Sequence, residues 1–183
     1  MKFLPIPEIA GAFTAVLDPH EDSRGILLEL WNQTQANAHS EWAGFAPVQI
    51  NFVSTASGAI RGIHRTRKEA PQRKVVTCVA GKVLDVLVDL RPESKTFRNI
   101  AQIELTADQP TVVLIPARVG HAFQSLNGES SVCYFFDRSY NLADELGINP
   151  LDGSMAIKWV EPVTLSEKDA SAPYLASYST NDF

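Results

Sequence analysis

The segment Lys74-Val-Val-Thr-Cys-Val-Ala-Gly-Lys-Val-Leu-Asp-Val-Leu-Val-Asp-Leu90 decides the fold class. Two runs rich in β-branched and apolar residues, Lys74–Val79 and Lys82–Leu90, flank an Ala80-Gly81-Lys82 step that reads as a hairpin turn. Within Val83–Leu90 the side chains alternate. Leu84, Val86, Val88 and Leu90 share one face, and Asp85 and Asp89 lie on the other. Working outward, Gln49–Ser54, Ile100–Leu105, Thr111–Ile115 and Ser131–Phe136 have the same character. Helical signals are weak and short: Ser40–Gly44, Leu142–Gly147 and a capped turn at Ser166–Ala170. Many strands at short spacing with few helices predict an all-β sandwich or barrel.

With 183 residues and neither linker nor repeat, the chain suits one domain, 1–183, with a substantial core. Hydrophobic residues make up 45% and charged residues 20%, the balance of an ordinary globular protein. No apolar run approaches the ~20 residues that cross a bilayer. The start, MKFLPIPEIAGAF, has prolines at 5 and 7 and does not read as a secretory leader. These features predict a cytoplasmic protein without a membrane role. Cys78 and Cys133 read as two buried thiols rather than a disulfide or a metal pair.

A net charge of −5 argues against nucleic acid as a partner. Yet six basic residues (Arg61, Arg65, Arg67, Lys68, Arg73, Lys74) stand against Glu69 alone between positions 61 and 74. Such an island suggests a discrete anion such as a pyrophosphate, with Arg65, Arg67 and Lys68 read as a solvated loop. Alternation puts Gln49 and Asn51 on one strand face, and Gln72 and Lys74 on one face of another. A polar face inside a sandwich needs hydrogen-bonding partners, and a ligand cavity supplies them. Arg61 and His64 are three apart, so strict alternation would separate them, but Gly62 between them is suited to a bulge that reunites them. His20 and His39 read as structural, whereas His64 and His121 are expected at strand ends or turns. A metal-binding site of the H-x-H type is missing, because position 66 is Thr.

The ordered segments Asp22-Ser-Arg24-Gly25, Glu29, Gln49-x-Asn51, Arg61-Gly-Ile-His64, Gln72-x-Lys74 and Gly81-x-Val-x-Asp85 resemble the dTDP-4-dehydrorhamnose 3,5-epimerase family. So do Ile115-Pro116, His121-x-Phe123, Tyr134, Tyr140, Glu145-x-Gly-Ile148, Ile157-x-Trp159 and Leu165-Ser-x-Lys-Asp169. The resemblance implies a cupin-like jelly-roll homodimer that epimerises a nucleoside diphosphate 4-keto-6-deoxy sugar at C3, C5 or both, with neither metal nor redox cofactor. By the same resemblance His64 is the base, Asp169 its orienting carboxylate, Lys74 the enolate stabiliser and Tyr134 the acid. Arg61 and His121 then lie near phosphates and sugar, Arg24 and Glu29 reach the partner's nucleotide, and Gln49, Asn51 and Tyr140 surround the ligand.

That chemistry is physically coherent. A carbon-bound hydrogen beside a ketone is weakly acidic, so removing it needs a base and a stabilised enolate, and inversion needs a donor on the other face. Ile26, Leu27, Thr66 and Arg118 depart from the family pattern. Arg118, in place of a small glycine, is expected to add bulk and charge near His121. Two rival readings are a single-carbon epimerase of another deoxysugar pathway and a non-catalytic carbohydrate-binding jelly roll.

Overall fold

The structure, a computed structural model, describes residues 2–183. Its strands are β1 (Lys2–Pro5), β2 (Phe13–Val16), β3 (His20–Asp22), β4 (Gly25–Leu27), β5 (Gln49–Thr55), β6 (Ile60–Thr66), β7 (Lys74–Ala80), β8 (Lys82–Asp89), β9 (Ile100–Thr106), β10 (Thr111–Ile115), β11 (Val119–Ser125), β12 (Ser130–Phe136) and β13 (Glu145–Gly147). Two α-helices, α1 (Gln33–Asn37) and α2 (Glu167–Ala170), are single turns. One sheet has the order β1-β2-β10-β7-β12-β5, the other β13-β6-β11-β8-β9, and β3-β4 form a separate hairpin. Strands β5–β12 thus divide into two four-stranded sets, the chain changing sheet at every step except β8 to β9, the jelly-roll arrangement.

The alternation in β8 works as the sequence suggests, with one refinement: both of its faces are buried. Val83 and Leu87 enter the apolar layer between the sheets with Val76, Val113, Phe123 and Val132. Val86, Val88 and Leu90 face outward, under a cover formed by Ile148, Met155, Leu175 and Phe183. The outer face of the six-stranded sheet is likewise covered, by Trp42, Phe45, Leu28 and Leu30. Removing a fully buried ring such as Phe123 would cost about 3–5 kcal/mol.

The six expected strands are present to within one residue at each end. Ser40–Gly44 is a run of turns rather than a helix, and the nearby helix is α1, capped by the Asn32 side chain on the Gln35 N–H. Leu142–Gly147 divides into a 3-10 turn and β13. The Ser166 cap of α2 is as read from the sequence, accepting from the Asp169 N–H. Both cysteines are free thiols, Cys78 buried and Cys133 half-buried. His39 lies against the rings of Phe3 and Phe13. Among the described residues no helix is long and apolar enough to cross a membrane.

Arg65 overturns the solvated-loop reading. It is buried at 1% exposure, donates to the carbonyls of Thr66, Leu90 and Phe183, and lies over the Phe183 ring. Burial, with repulsion from Arg118, lowers its pKa to about 10. Arg67 and Lys68 are exposed, as expected.

Candidate active site

A cavity of about 550 Å³ opens between the two sheets. The five-stranded sheet contributes Arg61 and His64 from β6, His121 from β11 and Glu145 from β13. The six-stranded sheet contributes Asn51 from β5, Lys74 from β7, and Tyr134 and Phe136 from β12. Gln72 and Tyr140 add to the wall, and Ser166, Lys168 and Asp169 close one side from α2 and its cap.

A bulge in β6 puts Arg61 and His64 on the same side. His121 pairs with His64 and Phe123 with Arg61, so three steps along β6 face two along β11. Gly62 makes this possible: its φ is +112°, and a Cβ there would fall 2.4 Å from the His121 carbonyl oxygen. His64 and His121 therefore sit within strands rather than at strand ends, a correction to the sequence reading.

His64 Nε2 is 2.6 Å from Asp169 Oδ1, and its Nδ1 is 4.0 Å from Glu145 Oε2. With Nε2–H donating to the carboxylate, Nδ1 is the nitrogen with a free lone pair. Burial opposes ionisation of Asp169, yet its carboxyl stays below the ordinary range because the hydrogen bond and charge of His64, with Ser166 and the Gly62 N–H, favour the anion. Lys74 is nearly enclosed and donates to the His64 carbonyl at 3.3 Å. Burial depresses its pKa to about 8, and the negative charges of Glu145 and Asp85 limit the fall. Burial, reinforced by Asp85 and opposed by Arg61, pushes Tyr134 well above the usual phenol range, so it stays protonated. Tyr134 stacks parallel to Phe136 and meets the His121 ring edge-on.

Arg61 is held at the rim by Thr55 Oγ1 at 2.9 Å and the Ser54 carbonyl at 3.3 Å. Gln49 does not line the cavity. Its amide donates to Asn51 Oδ1 and accepts from the Tyr140 N–H, tying together two residues that do. Arg24 and Glu29 are not brought to this cavity within one chain. Arg24 is exposed and paired with Asp22, and Glu29 accepts from Asn32. Arg118 does not approach the cavity either: its guanidinium donates to Glu93 and to the Phe183 carbonyl. Thr66 lines a smaller hollow behind His64. Glu145 and Lys168, which pair with each other, were not singled out in sequence, although both lie inside quoted motifs. Among the described residues no three His, Cys, Asp or Glu side chains are grouped to hold a metal ion.

Residues 7–177 match the family model described as dTDP-4-dehydrorhamnose 3,5-epimerase. The chain belongs to this family. It is 36% identical to a dTDP-4-dehydro-6-deoxyglucose 3-epimerase of Streptomyces bikiniensis, over 92% of this chain and 87% of that one. It is 35% identical to a dTDP-4-dehydrorhamnose 3,5-epimerase of Streptomyces griseus, over 92% and 84%. Among solved structures, a 4-keto-6-deoxy sugar epimerase from the novobiocin biosynthetic gene cluster of Streptomyces spheroides superposes with a TM-score of 0.89 at 32% identity, covering 97% of this chain and 88% of that one. The protein is thus an isomerase of the carbohydrate-epimerase type, and nothing favours a non-catalytic binding module.

Proposed function

We propose that this epimerase acts on a dTDP-linked 4-keto-6-deoxy sugar, removing the proton from a carbon beside the ketone, C3 or C5, and returning one to the opposite face. The observation that carries this reading is the 2.6 Å His64–Asp169 pair sharing a cavity with a buried lysine and a protonated phenol. His64 Nδ1 accepts the carbon-bound proton while Asp169 stabilises the resulting imidazolium. Lys74 supplies positive charge where the enolate oxygen develops, in surroundings that screen it poorly. Tyr134 donates to the other face of the ring. Base and acid come from different sheets of the sandwich, His64 on β6 and Tyr134 on β12, as inversion requires of groups acting from opposite sides. Arg61, at the rim, is suited to the diphosphate. Two free thiols accord with work in the reducing cytoplasm.

The working unit in this reading is a homodimer. Edge strand β5 exposes Ile50 and Phe52, and Val48 beside them, at 62–66%. An uncovered apolar edge of this kind calls for a partner. A second copy would cover it and bring Arg24 and Glu29 to the neighbouring nucleotide site.

The test is incubation with dTDP-4-keto-6-deoxyglucose in D₂O, reading deuterium at C3 and C5 separately. Incorporation at either carbon by the wild type and none by His64→Ala is the expected result. No incorporation by the wild type, or undiminished incorporation by His64→Ala, overturns it.

A further inference from the structure

The proposed chemistry leaves one buried carboxylate unused. Asp85 occupies the middle of β8 and points between the sheets in the same row as Val83 and Leu87, where an apolar side chain would be ordinary. It is fully buried, at 0% exposure. Its Oδ1 lies 2.6 Å from Nε2 of His121, itself buried, and Oδ2 has no hydrogen-bond partner among the described residues. A carboxylate so placed is unfavourable for the fold unless its charge does something there.

We infer that Asp85 is a positioning residue for the epimerisation, anchoring the His121 ring in the cavity wall and setting a fixed negative charge beneath Lys74 and Tyr134. The inference rests on the acid–base reading above and deepens it. Accepting from Nε2–H, Asp85 fixes which nitrogen of His121 carries the proton and how the ring lies against Tyr134, 5.7 Å away between centroids. Its charge reaches the facing sheet. It favours the charged form of Lys74 and the protonated form of Tyr134, the states in which those two groups work. The other ionisable groups facing this set are Cys78 on β7, which burial pushes up and the same charge reinforces, Arg61 on β6, which opposes Asp85 at Tyr134, and Glu145 on β13, which supports Lys74. His64, on β6, lies beside Lys74 through its carbonyl.

Asp85→Asn keeps the shape and an acceptor oxygen while deleting the charge. Lys74 and Tyr134 would then both lose their protons at lower pH, so the alkaline limb of the kcat profile moves to lower pH. The expected result is a limb lowered by about half a pH unit or more, kcat at pH 8 reduced about 10–100-fold, and KM within threefold of wild type. His121→Gln removes the ring but leaves Asp85, so it lowers kcat and leaves the limb in place. An unmoved limb in Asp85→Asn overturns the inference. So does a limb that moves in His121→Gln, a result that can be read even if Asp85→Asn fails to fold. His64→Ala, run alongside, tests the underlying chemistry independently: residual exchange there removes the base, whereas an unmoved limb removes only Asp85.

Discussion

Asp169 and His64 stand 105 residues apart in the chain and 2.6 Å apart in space. The carboxylate is held below its ordinary range, so it is ionised wherever the imidazole is neutral and ready to accept a proton. Asp169→Asn would keep the contact but offer no charge to the imidazolium. We expect kcat to fall by ~10²–10⁴ with KM within about threefold, read from initial rates. The same pair links stability to pH. Because the folded pKa of Asp169 is depressed, its contribution is complete above the unfolded value of about 4 and is lost as pH falls through the folded one. Asp169→Asn should flatten that acid loss in a thermal-melt series, and an identical acid dependence would count against the ion pair.

Lys74 gives a prediction of opposite sign for stability and activity. Its folded pKa of about 8 lies below that of an exposed lysine. The folded state therefore holds this proton less tightly than the unfolded chain, and the protein gains stability as pH rises from about 8 toward the ordinary lysine range. At pH 7 Lys74→Met should be more stable by roughly 1–3 kcal/mol, yet slower by at least ~10²-fold. A variant both inactive and less stable would show that Lys74 is held mainly by packing.

Tyr134→Phe removes a donor and leaves the base. Deuterium wash-in at the substrate carbon should be impaired less than formation of the inverted product, which we expect to fall ~10²–10⁴-fold. NMR of the sugar ring reads both quantities in one experiment. Equal losses in the two would place Tyr134 outside the donor role.

Arg24 and Glu29 lie away from the cavity of their own chain, so the shared-site reading has a sharp test. Mixing His64→Ala with Arg24→Ala chains should restore up to about a quarter of wild-type activity, because random pairing makes half the dimers mixed and each carries one intact site of two. Labelled subunits that exchange freely without any recovery would sink the claim.

What the sequence reveals follows the range of the forces involved. Strands β7, β8 and β10 are legible because β-branched residues and alternation are local signals. Strand β11 is hidden: Gly120, His121, Gln124 and Ser125 look like a loop, yet all seven of its residues are buried, with His121 and Gln124 satisfied by Asp85 and Val160, each 36 residues away, and Ser125 by the nearby Gly128 carbonyl. The Gly62 bulge could be argued from residue type, since only glycine permits it. Asp169 could not, because nothing local announces a partner 105 residues away, and only the resemblance supplied it. The placement of Arg65 and Arg118 is illegible for the same reason. Both turn to Phe183, a contact no window of sequence contains.

The distance along the chain between His64 and Asp169 also dictates an order of events during synthesis. Strands β5–β12 end at Phe136, so the sandwich can close before α2 exists. At roughly 5–20 residues per second, about 5–20 s separate the emergence of His64 from that of Asp169. From the emergence of Phe136 onward the strands can pack around an imidazole whose carboxylate partner is still to come. Chemical competence arrives late, delivered by a four-residue helix after the architecture is finished.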